Sequence, residues 1–181
     1  MADTYRRVVT GFDADGRSIV AMDGPPGPVD ARGTLLEMWA TDATPADNTI
    51  PGDAADRPVM LEPSVNGSKF RFFRVAPEST LQSIEERNDA FDARLETMDD
   101  AERADALRIR HDTTRHPGMH ETLTVDYIIL LSGEVTMLLD EGQVDLKPFD
   151  TVIQRGTNHA WVNYGTETAV LAGVLINAHP R

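Results

Sequence analysis

The chain has 181 residues, of which 40% are hydrophobic and 26% charged, and it contains no cysteine. This composition is typical of one soluble globular domain. The net charge of −13 disfavours nucleic acid and anionic membranes as partners, and the lack of cysteine excludes disulfides and thiolate ligands. The sequence shows neither a signal peptide nor an apolar run of membrane length, so we expect a cytoplasmic protein.

Residues 1–68 are predicted to form strands and a long surface loop. RRVVTG and RSIVAM flank a turn with Gly16 at its tight position, which indicates a hairpin. TLLEMWAT indicates a further strand, with Trp39 as a candidate core or interface residue. Residues 41–68 are rich in Pro, Asp, Ala and Gly, and this composition predicts a surface loop.

After a strand at KFRFFRVA, residues 76–119 are predicted to form a helical insertion covering about residues 78–110. Two pairs have the spacing of capping boxes, Ser79 with Gln82 and Asp99 with Glu102. Apolar residues follow at helical spacing, as in an amphipathic helix. We expect the insertion to pack on a sheet, and the alternative is a lid or a dimer contact at the mouth of a site.

From residue 120 onward the sequence predicts short strands with turns between them. The segments are TVDYIILL, VTMLLDEGQVDL, DTVIQ, RGTNHAWVN and TAVLAGVLINA. This spacing indicates a β-sandwich or a small barrel. We therefore predict a single all-β domain over 1–181, with its barrel core at 69–178.

The segment HETLTVD carries polar residues where a buried strand would carry Val, Ile or Leu. His120, Thr122, Thr124 and Asp126 lie two residues apart. If the segment is one strand, all four side chains face the same way. That face is then a candidate site and not ordinary core.

A second polar series, His159, Trp161 and Asn163, shares parity on a later predicted strand. In a closed barrel the inward faces of different strands converge on one cavity. This predicts two imidazoles, from His120 and His159, and the carboxylate of Asp126 in one pocket. Two histidines and one carboxylate are the facial ligand set of non-haem Fe(II), and the set also suits Zn or Mn.

Each of these residues also has a structural interpretation. The two histidines would then be polar core residues bonded to backbone carbonyls, and Asp126 would cap a turn, pair with an arginine or act as a free general base. Arg71 and Arg74 have opposite parity on an earlier strand, so one of them would reach the cavity and hold a substrate carboxylate.

Four neighbouring residues receive mainly structural expectations. We expect Asn163 to bond backbone groups at a turn, Trp161 to pack, and Tyr127 to face away from the cavity. His116 precedes Pro117 in the sequence. We expect it on a surface loop, with a role as an extra ligand as the alternative.

The pattern H-x-T-x-T-x-D-Y-x5-G, followed by P-x-D-x5-G-T-N-H-A-W-x-N, resembles the two motifs of the cupin superfamily. In the cupin motifs, His120 matches the first histidine, and Gly156, His159 and Asn163 match in spacing. The resemblance covers residues 118–163. The resemblance implies a jelly-roll β-barrel. The sequence is most similar to a subgroup of small cupins with the same H-x-T-x-T-x-D-Y string.

The sequence departs from the cupin motifs at four positions. Thr122 replaces the second histidine, and its hydroxyl would hold a metal-bound water. Asp126 replaces a longer glutamate. Phe149 stands where a glycine often follows the proline, and Gln154 stands near the usual proline.

Three functions follow from the resemblance and from these residues. The first is a metal-assisted lyase, isomerase or oxygenase acting on a small molecule, with one Fe, Zn or Mn ion. The second is a metal-free enzyme in which Asp126 and His159 act as acid and base in elimination, isomerisation or decarboxylation. The third is a non-catalytic ligand-binding or sensor protein. We lean towards an enzyme and towards the first function.

The resemblance also implies an assembly. In similar proteins the segments before the barrel extend the sheet or pair with a second subunit. For residues 1–68 we therefore expect one of these two roles, and we predict a homodimer.

Overall fold

The computed structural model describes residues 5–30 and 33–180, which form ten strands and two α-helices. The strands are β1 (Arg7–Phe12), β2 (Ser18–Gly24), β3 (Leu35–Thr41), β4 (Ser68–Val75), β5 (Thr124–Ser132), β6 (Val135–Leu139), β7 (Gln143–Leu146), β8 (Thr151–Gln154), β9 (His159–Val162) and β10 (Ala169–Asn177). The helices are α1 (Ile84–Leu95) and α2 (Asp100–Ile109).

Two antiparallel sheets form the barrel. The large sheet has the order β3-β4-β10-β5-β8, and the small sheet has the order β7-β6-β9. An isolated bridge from His120 to His159 adds a short segment beside β9. The chain thus crosses between the sheets in the order of a jelly roll, with five strands in one sheet, and three strands and that short segment in the other. The predicted all-β jelly roll with a helical insertion is confirmed.

The N-terminal segments have two different positions. β3 extends the large sheet beside β4, whereas β1 and β2 pair only with each other as the predicted hairpin. Gly16 turns this hairpin with a φ of +76°, a conformation that favours glycine. Arg7 ties the hairpin to the barrel, because its guanidinium donates to the Met38 carbonyl at 2.9 Å and to Asp53.

The helical insertion begins later than the sequence indicates. The capping box at Asp99 and Glu102 is confirmed at the start of α2. The predicted box at Ser79 and Gln82 is wrong, because residues 78–80 form a short 3₁₀ turn. Ser83 caps α1 instead: its hydroxyl accepts from the backbone N–H of Glu86, whose carboxylate accepts from the Ser83 N–H.

Backbone hydrogen bonds join the insertion to the barrel at both ends. The Glu78 N–H donates to the Asn163 carbonyl at 2.7 Å, and the Glu121 N–H donates to the Ile109 carbonyl at 2.8 Å. The helices themselves bury little, since Leu95 is the one buried residue of α1 and α2 contains none. Among the described residues, no helix has both the length and the apolar character that crossing a membrane requires.

The apolar core fills one end of the barrel. Leu130 and Leu171 are fully buried there, and Ile128 and Val135 pack with them. Gly173 lies opposite Ile128 on the paired strand. A Cβ at Gly173 would lie 2.7 Å from Ile128 Cδ1, so the glycine makes room for the isoleucine. The other end of the barrel is polar and contains the candidate site.

Candidate functional site

A polar row crosses the inner face of the large sheet. Asp126 on β5 lies opposite Gln154 on β8 and opposite Leu175 on β10, which in turn lies opposite Lys69 on β4. All four side chains are buried. Strand pairing therefore brings Asp126 and Gln154 side by side inside the barrel, although 28 positions separate them in the sequence.

His120 and His159 face each other across the small sheet. Their rings are 4.3 Å apart, and their backbones exchange hydrogen bonds of 2.9 and 3.0 Å. The expectation that His120, Thr122, Thr124 and Asp126 share one strand is wrong, because β5 begins only at Thr124. His120 instead pairs with β9, and the chain changes sheet between residues 121 and 123. The polar residues meet through this change of sheet.

Gln154 orients the ring of His159. The Gln154 Oε1 accepts from the Gly156 N–H at 2.7 Å, which fixes the orientation of the amide. Its Nε2 then donates to the Thr157 carbonyl and to His159 Nδ1, both at 2.8 Å. The Thr157 carbonyl lies 2.9 Å from the same Nδ1, so this nitrogen has both a donor and an acceptor beside it, and either tautomer of His159 has a partner there. Burial lowers the pKa of His159 to about 3, so the ring is neutral.

The tautomer of His120 follows from one contact. Its Nδ1 lies 2.9 Å from the Gly118 carbonyl, which can only accept, so Nδ1 carries the proton and Nε2 is an acceptor. Burial lowers the pKa of His120 as well. His120 therefore offers a nitrogen acceptor beside the ring of His159.

The carboxyl of Asp126 is buried and incompletely paired. Its Oδ1 is inaccessible to solvent and has no hydrogen-bond partner. Burial raises the pKa of Asp126 to about 6, and the hydroxyl of Thr124 opposes this shift. Thr124 Oγ1 in turn lies 2.7 Å from Thr122 Oγ1. A buried carboxylate with a free oxygen is a candidate proton acceptor or a candidate ligand contact.

Charged residues of β3 and β4 face the same interior. Arg71 is 2% exposed and pairs with Glu37, and it also donates to the Leu61 carbonyl at 3.0 Å. Lys69 donates to the Met60 carbonyl at 2.6 Å, and burial lowers the pKa of Lys69 to about 8. Arg71 is thus the arginine that enters the barrel.

Arg74 stays outside, with its guanidinium 5.5 Å from the ring of Tyr5. Sequence reasoning missed Glu37 and Lys69. The spacing of Lys69 and Arg71 by two residues was the available signal, but the phenylalanines at Phe70 and Phe72 have the opposite parity and look like the buried face.

The remaining predicted residues have structural positions. The amide of Asn163 donates to the carbonyls of Val75 and Glu167 at 2.9 and 2.7 Å, so its expected role at a turn is confirmed. Trp161 packs between rings, 5.5 Å from His159 and 5.9 Å from Phe73.

Tyr127 is 47% exposed on the outer face of the sheet, as its parity predicts. The expectation that His116 lies on a surface loop is wrong. It is 8% exposed, and its Nε2 is 3.3 Å from the carboxylate of Glu78. Glu78 also pairs with Arg87. His116 therefore holds the start of the insertion and is not placed as an extra ligand.

The predicted metal ligands do not fit a metal ion in this arrangement. Within 5–30 and 33–180, no three His, Asp or Glu side chains lie close enough together to hold one ion. Asp126, His120 and His159 share the barrel interior without forming a ligand set.

A surface pocket of about 430 Å³ lies outside the barrel, between α1 and residues 111–117. Its walls include Ile84, Asn88, His111 and His116. The predicted site residues do not line it. The insertion therefore forms a surface pocket of its own, separate from the polar barrel interior.

Comparisons with known proteins give partial matches. No protein-family model matches the sequence. A phomopsin biosynthesis cluster protein, C', of Diaporthe leptostromiformis is 48% identical over 46 residues, which cover 25% of this chain and 24% of that protein. Oryzines biosynthesis cluster protein J of Aspergillus oryzae is 37% identical over 71 residues, 36% of this chain and 40% of that one. These matches therefore span well under half of either relative.

A solved structure, a cupin 2 conserved barrel domain protein from Salinispora arenicola, aligns with 83% of this chain and 87% of its own length. The TM-score is 0.40 and the sequence identity 16%. The order of strands in the two sheets carries the assignment. The chain has a jelly-roll fold.

Proposed function

We propose that this cupin-fold protein is a metal-free acid–base enzyme acting on a small carbonyl compound inside the barrel. The observation that carries the proposal is the buried Oδ1 of Asp126, which has no hydrogen-bond partner. Asp126 lies opposite Gln154 on the neighbouring strand, and Gln154 is hydrogen-bonded to His159. A buried acceptor without a partner is costly in a finished core, and such groups are common where a ligand supplies the missing partner.

The proposed chemistry uses the neutral tautomers of the two histidines. The carboxylate of Asp126 removes a proton from the carbon next to a carbonyl group. In the tautomer with its proton on Nε2, which the Gln154 amide favours, His159 donates from that nitrogen to the carbonyl oxygen as negative charge develops there. Return of the proton at a different carbon gives isomerisation, and loss of a leaving group gives elimination. His120 Nε2 accepts a hydrogen bond from a hydroxyl group of the substrate.

The pKa of Asp126 supports the choice of base. A catalytic base works best when its pKa lies close to the operating pH, and burial raises the pKa of Asp126 to about 6. At neutral pH the carboxylate is therefore ionised in most molecules and still basic enough to take a proton. The neutral state of His159 suits a hydrogen-bond donor and not a proton carrier.

The partial relatives support a small-molecule role. Both are described as proteins of a biosynthesis cluster, one for phomopsins and one for oryzines. We propose by analogy that this chain also acts in the biosynthesis of a small molecule. The reaction itself is proposed from the residues inside the barrel, because a fold alone does not determine a reaction.

A binding experiment separates this function from the two other functions that the sequence predicts. Chelator-treated protein is titrated calorimetrically with pyruvate, acetoacetate and malonate, before and after addition of Fe(II), Zn(II) or Mn(II). We expect saturable binding of at least one probe without metal, weakened at least tenfold in Asp126→Asn and unchanged in His179→Gln, whose side chain is exposed. Binding that requires one metal ion per chain would support the metal-assisted enzyme instead, and metal-free binding unaffected by Asp126→Asn would contradict the role of Asp126.

A further inference from the structure

Lysine is rare in this chain, and one of its two lysines is buried. The sequence has 17 lysine and arginine residues, of which only Lys69 and Lys147 are lysines. Lys147 is exposed, whereas Lys69 on β4 is 5% exposed and its side chain lies in the barrel interior. The charged end of a lysine normally stays in water. The chemistry proposed for Asp126 and His159 does not use this buried amine.

The amine of Lys69 has few partners. Among the described residues, the Met60 carbonyl is its single hydrogen-bond acceptor, at 2.6 Å. The Oε1 atom of Glu37 lies 3.9 Å from Nζ, which is too far for a hydrogen bond. The other carboxylate oxygen, Oε2, is buried and has no hydrogen-bond partner in the part of the chain that the structure describes. An amine with unused hydrogens thus lies beside a carboxylate with an unused oxygen.

A guanidinium group completes this cluster. Arg71 lies two residues after Lys69 on β4 and pairs with the same Oε1 atom of Glu37. Its Nε atom is buried and, within 5–30 and 33–180, has no hydrogen-bond partner. Guanidinium N–H groups bind carboxylates strongly. The cluster has two cations and one carboxylate while Lys69 is protonated, so its net charge is positive and suits an anionic ligand.

Burial favours the neutral, nucleophilic form of the Lys69 amine. Burial is the largest cause that lowers the pKa of Lys69 from 10.5 to about 8, and the charge of Arg71 is the next cause. Arg57 acts in the same direction, whereas Glu37 and Asp42 raise the pKa. At pH 8 roughly half of the Lys69 amines are therefore neutral, compared with roughly 0.3% at the ordinary pKa. Removal from water and a neighbouring cation are recognised ways of activating a lysine.

A loop covers the amine. Residues 56–62 form neither helix nor strand. Lys69 and Arg71 hold this loop through the carbonyl groups of Met60 and Leu61. The Met60 side chain is 63% exposed, so it contributes little packing to the closed position. A ligand that offers its own oxygen atoms to the two cations can replace these carbonyls, which gives it a route to the amine.

We propose that Lys69 forms an imine with a 2-oxo acid whose carboxylate is bound by Arg71. The Nζ lone pair forms a bond to the ketone carbon, and the electron pair of the carbonyl group moves to the oxygen. The two amine protons pass to this oxygen with Glu37 as the carrier, and the oxygen leaves as water when the C=N bond forms. The inference rests on the proposed function in one respect, the entry of a small carbonyl compound into the barrel.

Reductive trapping identifies the lysine that reacts. The protein is incubated at pH 8 with pyruvate and cyanoborohydride, which converts an imine into a stable secondary amine, and peptide mass spectrometry locates the adduct. We expect at least tenfold more adduct at Lys69 than at Lys147, and similar amounts at both lysines in protein unfolded by urea. Equal modification of the two lysines in the folded protein, or modification of Lys147 alone, would overturn the proposal. This comparison uses the wild-type protein, so it does not depend on the folding of a variant.

Two further comparisons test the parts of the site. Lys69→Arg keeps the positive charge and should lose the adduct that forms in the barrel, whereas the matched control Lys147→Arg should retain it. With acetone, which lacks a carboxylate, the ratio of adduct at Lys69 to adduct at Lys147 should be at least tenfold lower than with pyruvate. An equal ratio for the two ketones would contradict the role of Arg71.

The outcome can be separated from that of the proposed function. Proton exchange at the carbon next to the carbonyl group tests Asp126 as the base, whereas trapping reports bond formation at Lys69. Exchange without an adduct at Lys69 would overturn the imine and leave the proposed base in place. An adduct at Lys69 without exchange would support the imine and contradict the proposed base.

Discussion

Asp126 and Gln154 lie opposite one another on β5 and β8, and the amide of Gln154 continues from that pair to His159 Nδ1 at 2.8 Å. Gln154 thus lies beside the buried carboxyl group on the large sheet and contacts the histidine pair on the small sheet. These contacts give the barrel interior a defined arrangement of donors and acceptors, which the following predictions test.

Asp126→Asn should stabilise the protein at high pH. Burial raises the pKa of Asp126 from 3.8 to about 6, so the folded state binds the proton more tightly than the unfolded state. The resulting stabilisation is fully present below about pH 4 and is lost as the pH rises through 6. Asparagine carries no charge at any pH. We expect its free energy of unfolding at pH 8 to exceed that of wild type by roughly 2–3 kcal/mol.

Urea unfolding at pH 4 and pH 8 measures this difference. At pH 4 the carboxyl is protonated in the folded state, and the two proteins should then have similar stability. An Asn variant that is less stable than wild type at pH 8 would show that the carboxylate is well solvated or well paired in the folded protein.

His159→Gln should reduce the loss of stability at acidic pH, whereas Asp126→Asn acts at high pH. Burial lowers the pKa of His159 from 6.5 to about 3, so the folded state resists protonation. Wild type therefore loses stability as the pH falls below 6.5, by up to about 1.4 kcal/mol per pH unit from this residue. As the pH falls from 6.5 to 4.5, wild type should therefore lose more stability than His159→Gln does. His179→Gln serves as the control, and an equal pH dependence in all three proteins would refute the prediction.

Phe149→Gly should stabilise the turn after Pro148. Phe149 has a φ of +74° and is 80% exposed, so its side chain contributes little packing while its backbone is strained. We expect a gain of about 1 kcal/mol in the free energy of unfolding. Phe149→Ala removes the ring but keeps a Cβ, and it should gain much less. Equal effects of the two variants would assign the change to the ring and not to the backbone.

Gly173→Ala should destabilise the barrel, because its Cβ would lie 2.7 Å from Ile128 Cδ1. Overpacking of this kind costs about 1–3 kcal/mol. Ile128→Val removes the Cδ1 atom concerned. In chemical denaturation, the double variant should therefore recover part of the loss caused by Gly173→Ala. A strictly additive double variant would mean that the two side chains do not meet.

Much of the fold follows from local sequence patterns. The alternation in β5 and β10, the turn at Gly16 and the capping box at Asp99 each predict the local structure that forms. These signals involve residues close together in the chain, where backbone preferences decide. The order of strands follows less directly, because it depends on which distant strands pair. Only the spacing of the two motifs indicated this order.

The polar face of β4 shows what local patterns do not reveal. In KFRFFRV an interpretation by hydrophobicity directs Phe70 and Phe72 inward and Lys69 and Arg71 outward. The structure has the reverse, since Arg71 pairs with Glu37 inside the barrel. The partner on β3 is 34 residues away, and no pattern within one strand identifies it. The register of two strands decides which face is inside.

The sequence predicts that three polar residues lie inside the barrel, but it does not predict their arrangement. His120, Asp126 and His159 do lie in the barrel, but His120 belongs to the small sheet and not to β5. The chain passes from the small sheet to the large sheet at residues 121–123. Such a change of sheet leaves no alternating pattern in the sequence from which it could be predicted. The ring orientations of the two histidines depend on contacts with Gly118 and Gln154, which appear only in three dimensions.

Proton exchange in D₂O tests the proposed chemistry most directly. Chelator-treated protein is incubated with acetoacetate or pyruvate, and proton NMR follows the loss of the signal from the carbon next to the carbonyl group. We predict exchange at least a hundredfold faster than in buffer, reduced to the buffer rate by Asp126→Asn and unaffected by His179→Gln. Exchange at the buffer rate with wild-type protein, or exchange that survives Asp126→Asn, would contradict Asp126 as the base of a metal-free site.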